Sequence, residues 1–189
     1  MELIGTVVRL QVQTARLKPG PAGARVYDPA PLLPVTELDV GPRGVVGMTA
    51  DGPVVDVHHA DHPDTRNVGL RNGLSVIPAG HYAWMRAQFG DHLVDGIAGE
   101  SLLLDTPGVL DPLDGPLVLE TADGVLHVGE VAAIPPCVEF SRFASRRGRD
   151  DTGPEVLAAL ELLGCGIRGF YLRSPDSGRV AVGARLLRP

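Results

Sequence analysis

Cys137 stands where a thiol can be put to chemical use. It ends the run VLHVGEVAAIPPC, directly after Ile134-Pro135-Pro136. Two prolines fix φ and remove two backbone donors, so a strand cannot continue through them and the thiol sits where the chain leaves a sheet. Arg142, Arg146, Arg147 and Arg149 follow closely. Nearby cations lower a thiol's pKa, and the thiolate is the form that attacks sulfur or binds a soft metal. A free cysteine is also among the most buried residue types, so the same thiol serves equally as a core residue. The guanidinium forks of the four arginines match phosphate-like anions, or they balance Asp150 and Asp151 on a solvated loop. Cys165, between Gly164 and Gly166, reads as a small filler at a crowded helix end.

A second cluster, His58, His59, Asp61, His62 and Asp64, follows a short apolar run at 54–57. His58 and His62 with Asp56, Asp61 or Asp64 are the donor types that hold a borderline divalent metal. The competing reading is a polar pocket lining, which suits imidazole as donor and acceptor. Adjacent His58 and His59 would point opposite ways in an extended strand, so at most one faces a shared pocket. No Gly-rich phosphate loop, nucleophile elbow or paired CxxC occurs, which removes several enzyme classes.

The elements that position these groups are mostly short strands. Residues 3–13 alternate as a β-strand, with Val8, Leu10 and Val12 against Arg9, Gln11 and Gln13. Residues 17–34 are rich in Pro, Gly and Ala and predict a long surface loop. Strands are expected at 35–40, 54–57, 102–104, 117–121 and 125–134, with hairpin signals at Asp114-Gly115 and Asp123-Gly124. Residues 78–89 predict a helix with Tyr82, Met85 and Phe89 on one face and Gly90 as its stop. Thr152-Gly153-Pro154-Glu155 has the form of a capping box opening a second helix to about 163, with Val156, Leu157, Leu160 and Leu163 as its apolar face. Two closing strands, 167–174 and 179–188, flank Pro175-Asp176-Ser177-Gly178. Many short strands and two short helices predict a mainly β fold, a closed or partly open barrel, in a single domain over 1–189.

Composition narrows the function classes. The chain has 189 residues, 44% hydrophobic and 21% charged, with a formal net charge of −6. That length supports one well-filled core, and the acidic balance argues against nucleic acid as a partner. No apolar run is long enough to cross a bilayer, and Met1-Glu2-Leu3 opens directly into a strand pattern, so neither a membrane nor a secreted location is expected. Two cysteines demand no disulfide, and a reducing cytoplasm is the simpler expectation. The bases divide into 16 Arg and the single Lys18, which reflects GC-rich coding more than a binding need.

Taken in order, these features resemble the MOSC domain, the family named for the C-terminal region of molybdenum cofactor sulfurase. The His turn at 58–62, the HYAWMRAQFG helix, Gly99-Glu100-Ser101-Leu102, Pro136-Cys137 and the closing GIRGFYLRSPDSGRVAVGARL carry the resemblance, over roughly residues 35–188. His59-Ala60-Asp61 stands where the family has His-Gly-Gly, and Ile134-Pro135 where arginine is common. The resemblance implies a β-barrel whose cysteine carries sulfur or ligates molybdenum in a molybdopterin-type cofactor. It implies a pocket where the His turn, Glu100 and Cys137 converge on one barrel rim. In it Cys137 would be nucleophile, sulfur carrier or molybdenum ligand, and His59 or His62 would move a proton. Glu100, Arg142, Arg146 and Arg147 would face the cofactor. The expected partner is a small-molecule substrate or a sulfur-donor protein. Two alternatives stand beside this: a cofactor-free enzyme of the same descent acting on a small sulfur- or nitrogen-containing metabolite, with a metal at the His cluster, and a non-catalytic partner-binding barrel.

Overall fold

Val76 and Ile77 sit side by side in the chain and feed two different cores. In the computed structural model, which describes residues 1–67, 69–71 and 73–189, the elements in chain order are β1 (Glu2–Gln13), β2 (Leu32–Val35), β3 (Glu37–Gly41), β4 (Gly44–Thr49), β5 (Gly52–Val55), β6 (Leu74–Pro78), α1 (Ala79–Phe89), β7 (Leu102–Asp105), β8 (Leu117–Thr121), β9 (Gly124–Val128), β10 (Glu130–Ala133), α2 (Val138–Ala144), α3 (Pro154–Leu162), β11 (Phe170–Arg173), β12 (Gly178–Ala181) and β13 (Arg185–Arg188). The larger sheet has nine strands in the order β10-β11-β6-β7-β1-β13-β8-β9, with β2 added beside β1. The smaller sheet runs β12-β3-β4-β5.

β1 is the spine. Its first half pairs with β13, its middle with β7 and its end with β2, so one long strand serves three partners. β6 and β7 form the one parallel pair of this sheet among the described residues, bridged by α1. Both are buried on both faces, which is where a parallel pair belongs. Period-two alternation then sends Val76, Leu102 and Leu104 into the core shared with the small sheet, and Ile77 and Leu103 into a second core under α1 and α2. The sheet's end strands, β9 and β10, are consecutive in the chain and separated by Gly129 alone. β9 pairs with β8 and β10 with β11, so the chain itself carries the sheet nearly all the way round into a barrel. The mainly β barrel-like architecture is therefore the one expected from the sequence.

Several local expectations are corrected. There are three helices among the described residues instead of two, because α2 starts directly after Cys137. The capping box does not form: Gly153 is the N-cap of α3 without a side-chain bond, and the Gly153 N–H donates to Asp151 Oδ1 at 2.7 Å instead. Leu157 points to solvent; the buried residues of α3 are Val156 and Ala159, and Leu163 is buried at its C-cap. The predicted loop 17–34 ends early, since Leu32–Val35 pairs with β1. Asp123-Gly124 turns a hairpin between β8 and β9, but Asp114-Gly115 precedes β8 without one. The closing strands make no hairpin: β11 joins the large sheet and β12 crosses to β3 in the small one. Cys165 is exposed, in a left-handed conformation, and fills nothing.

Candidate functional site

A cavity of about 240 Å³ opens where the end of β5, the start of β6, the loop after β1 and the approach to α2 meet. Ile134 and Cys137 border it from the Pro-Pro bend, Glu100 from the turn before β7, Arg168 from the turn before β11, and His58 from the segment after β5. Arg16, Lys18, Arg25 and Arg66 border it as well, with Asp64 as the second acid. A net-negative chain thus concentrates positive charge at one concavity, and a cleft lined mainly by one sign of charge focuses field on its contents.

Each wall residue has a local cause. Cys137 has extended backbone angles and is the N-cap of α2; its carbonyl accepts the Ser141 N–H at 3.0 Å, and its side chain is half-buried against the second core. Glu100 follows Gly99, whose φ of +87° only glycine adopts freely, and a Cβ there would lie 2.9 Å from Gln13 Nε2. The bend turns Glu100 inward, 2% exposed. Its Oε2 accepts the Tyr82 hydroxyl at 2.7 Å, while Oε1 has no partner. Burial pushes this carboxyl up to about 7, against the opposing pull of the Tyr82 hydrogen bond, of Glu100's own backbone N–H and of the Arg168 and Arg9 charges.

Arg168 is 7% exposed and stands between two left-handed glycines, Gly166 and Gly169. Its guanidinium lies 3.6 Å over the Phe140 ring, and Nη2 donates to the Ala98 carbonyl at 3.2 Å. Nε and Nη1 have no partner, a costly state for a buried charged donor. Tyr27 closes one side: its hydroxyl donates to Ile97 O at 2.6 Å and its ring meets Phe140 edge-on at 4.9 Å. Burial pushes the Tyr27 and Tyr171 phenols up, so both stay neutral donors at ordinary pH.

Of the residues singled out from sequence, Cys137 and Glu100 border this cavity, and His58 is the histidine of the cluster that does. Asp56 holds it there: Oδ1 accepts the His58 N–H at 2.8 Å and pairs with its Nδ1 at 3.0 Å, while Oδ2 accepts the Gln13 N–H at 2.7 Å. His59 and His62 lie outside the lining; each uses Nδ1 to accept the N–H of Asp61 and Asp64 respectively, closing local turns. Arg142 and Arg147 line a smaller cleft of about 130 Å³ beyond Tyr27, where Arg142 donates to Asp151 O at 2.6 Å and Arg147 pairs with Glu155 at 3.1 Å. Arg146 donates to His92 Nδ1 at 3.2 Å. Among the described residues no group of three or more His, Cys, Asp or Glu side chains is placed to hold a metal ion. The residue that sequence reasoning missed is Arg168; its signal is the spacing Gly166-Ile167-Arg168-Gly169, which marks a backbone forced into two tight bends around one charge.

The fold describes a MOSC-like barrel. Among solved structures, the chain is similar to the YuaD protein of Bacillus subtilis, at 14% identity over 96% of this chain and 93% of that one, with a TM-score of 0.56. It is similar also to YiiM from Geobacillus stearothermophilus, at 17% identity over 98% and 73% with a TM-score of 0.50, and to a hypothetical protein at 16% identity over 97% and 68% with a TM-score of 0.57. YuaD and YiiM are MOSC-domain proteins, and at these identities the likeness speaks for the fold. No family model matches the chain, and no curated protein matches it by sequence. Among the described residues no helix is long and apolar enough to cross a membrane.

Proposed function

We propose that this chain is a MOSC-type protein that binds an anionic small molecule in the cavity and works on it through Cys137, as a sulfur carrier or as the soft ligand of a molybdopterin-type cofactor. The observation that carries the reading is the shared wall: a half-buried thiol and a buried guanidinium with two unsatisfied donors border the same cavity. The donor set fits a phosphate-bearing group with a soft centre. Arg168 supplies directional donors, Lys18, Arg25 and Arg66 add charge without an ion pair among the described residues, and Cys137 supplies the sulfur. A molybdenum centre, when bound, supplies two-electron oxygen-transfer chemistry. The chain's own part is to hold the anion on Arg168, present the Cys137 thiolate and exclude water with Tyr27.

In the sulfur-carrying role the step balances within the protein and its donor. The Cys137 thiolate attacks the outer sulfur of a persulfide donor, an Sγ–S bond forms, the donor's S–S bond breaks, and the donor leaves as its thiolate. Intact-mass analysis after exposure to glutathione persulfide, with molybdenum analysis of the purified protein, tests the reading. Either one added sulfur on Cys137 or stoichiometric molybdenum is expected, lost in Cys137→Ala. The variant is expected to stay within about 1–2 kcal/mol of wild-type stability, the ordinary range for one substitution. A folded Cys137→Ala protein that loads sulfur or holds molybdenum as well as wild type removes Cys137 from the function.

A further inference from the structure

Arg168 and Glu100 are opposite charges buried at one cavity, yet no hydrogen bond or ion pair joins them. Each keeps one side committed to the protein, Arg168 Nη2 to Ala98 O and Glu100 Oε2 to the Tyr82 hydroxyl. Each leaves the rest unsatisfied: two N–H donor groups on Arg168 and one carboxylate oxygen on Glu100. Nearly all buried polar side-chain atoms in folded proteins find a partner, so a donor and an acceptor orphaned together at one cavity are unusual. Had the pair served stability alone, the guanidinium and carboxylate would have met in a bidentate contact, the strong arrangement open to these two groups. Other restraints hold them apart. The Phe140 ring fixes the Arg168 plane, and Tyr82, itself accepting the Ala98 N–H at 2.9 Å, fixes Glu100.

We infer that Arg168 and Glu100 are the two ends of one ligand-reading device, and that the ligand is amphoteric: an anionic oxygen group for Arg168 and an N–H donor, amine or amidine-like, for Glu100. The inference rests on the reading of this cavity as an anion site and adds the second half of the ligand's chemistry. An oxyanion alone would satisfy Arg168 and leave Glu100 facing like charge. An amine alone would satisfy Glu100 and meet the cations of Arg168, Lys18, Arg25 and Arg66. Only a molecule with both signs, or both hydrogen-bond senses, relieves the two walls at once. Burial pushes Glu100 up to about 7, so the ionised form is the one short of partners, and a ligand N–H provides it.

Two sulfonates differing by one amine test this, since neither sulfonate titrates near neutrality. Ethanesulfonate and 2-aminoethanesulfonate are titrated calorimetrically into the full chain at pH 8. Wild type is expected to bind the amino compound at least about tenfold more tightly, ~1.4 kcal/mol. In Glu100→Gln, nearly the same shape without the charge, that preference is expected to fall below about threefold, ~0.7 kcal/mol. In Arg168→Lys, which keeps the charge but loses the fork, both compounds should weaken together. Equal binding of the two sulfonates by wild type, binding of neither, or an undiminished preference in folded Glu100→Gln overturns the inference. The wild-type comparison needs no variant and so stands even where a variant fails to fold. Persulfide loading of Cys137 is read separately: loading retained with no amine preference rejects the amphoteric ligand alone, and preference retained with no loading rejects the cysteine chemistry alone.

Discussion

Glu100 carries a pH signature that does not depend on any ligand. Burial raises its folded pKa to about 7 against the opposing Tyr82 hydrogen bond, well above an ordinary carboxyl. The folded protein therefore holds a proton that the unfolded chain releases, and the contribution to stability is complete below the unfolded pKa and lost as pH rises through about 7. Urea unfolding of wild type and Glu100→Gln at pH 5 and pH 8 measures it. The wild type is expected to lose on the order of 1–3 kcal/mol more than the variant across that interval, since a tenfold change in proton affinity is worth about 1.36 kcal/mol. Parallel profiles for the two proteins would show that Glu100 is already ionised at pH 5. The cavity was half legible in the sequence. Cys137 announced itself by two prolines and Glu100 by Gly99, both local signals. Arg168 was hidden because an arginine flanked by glycines reads as a surface turn until Phe140, from a distant segment, is seen beneath it. The arginines near Cys137 in sequence drew attention by proximity, yet Arg142 on α2 and Arg147 in the turn after it line a separate cleft bordered by Tyr27.

At the scale of elements, α3 shows how a helix start can be legible while its cap is not. Thr152 and Glu155 have the spacing of a capping box, but Gly153 takes the cap position with extended angles, and Pro154 follows it as the first helical residue. The Gly153 N–H is then satisfied by Asp151 Oδ1, while the Asp151 carbonyl accepts Arg142. Asp151, one residue earlier than the apparent cap, thus ties the start of α3 to α2. Thr152→Ala is expected to change stability by less than about 0.5 kcal/mol, as for an exposed surface residue. Asp151→Ala should cost roughly 1 kcal/mol, the usual net worth of one intramolecular hydrogen bond. Thermal melts of the two variants decide it, and a Thr152→Ala loss equal to that of Asp151→Ala would mean that the capping box forms after all. α2 escaped detection because seven residues give no readable helical period, and the prolines before it argued only that a strand stops. The strands at 3–13 and 117–121 were readable because alternation and a DG turn are signals within one element, whereas the single strand expected at 125–134 is two, β9 and β10, parted at Gly129 and paired with different partners. That β11 and β12 part company is a decision between sheets. It is taken at Pro175–Gly178, where Asp176 accepts the His127 N–H at 2.8 Å from a strand far away in sequence, and no local pattern records it.

For the whole molecule, the weak point is the seam where the large sheet returns on itself. β9 and β10 are the edge strands of that sheet, and edges left open invite pairing with other chains. Here the chain passes from one edge to the other through Gly129, whose N–H donates to Arg173 O at 2.9 Å beyond the last β10–β11 pair, Glu130↔Arg173. That one amide extends the β11 ladder up to the point where the strand changes partners. Nothing lies within 4 Å of a Cβ built on Gly129, and its φ is not among the left-handed ones. The position therefore needs an N–H, not the freedom of glycine. Gly129→Ala is expected to fold with stability within about 0.5 kcal/mol of wild type, the range for an unobstructed surface change. Gly129→Pro deletes the donor and leaves the Arg173 carbonyl without it, at a cost of roughly 1–3 kcal/mol. Hydrogen exchange locates the loss: amides of Glu130–Ala133 and Phe170–Arg173 should exchange faster in the proline variant, while those of β1, β7 and β13 keep their protection. Because Ile134 and Cys137 follow β10 directly, loosening the seam should also raise the alkylation rate of Cys137 relative to Cys165. If Gly129→Pro leaves both the exchange of these strands and the Cys137 rate unchanged, the barrel is held shut by its core contacts and not by the seam.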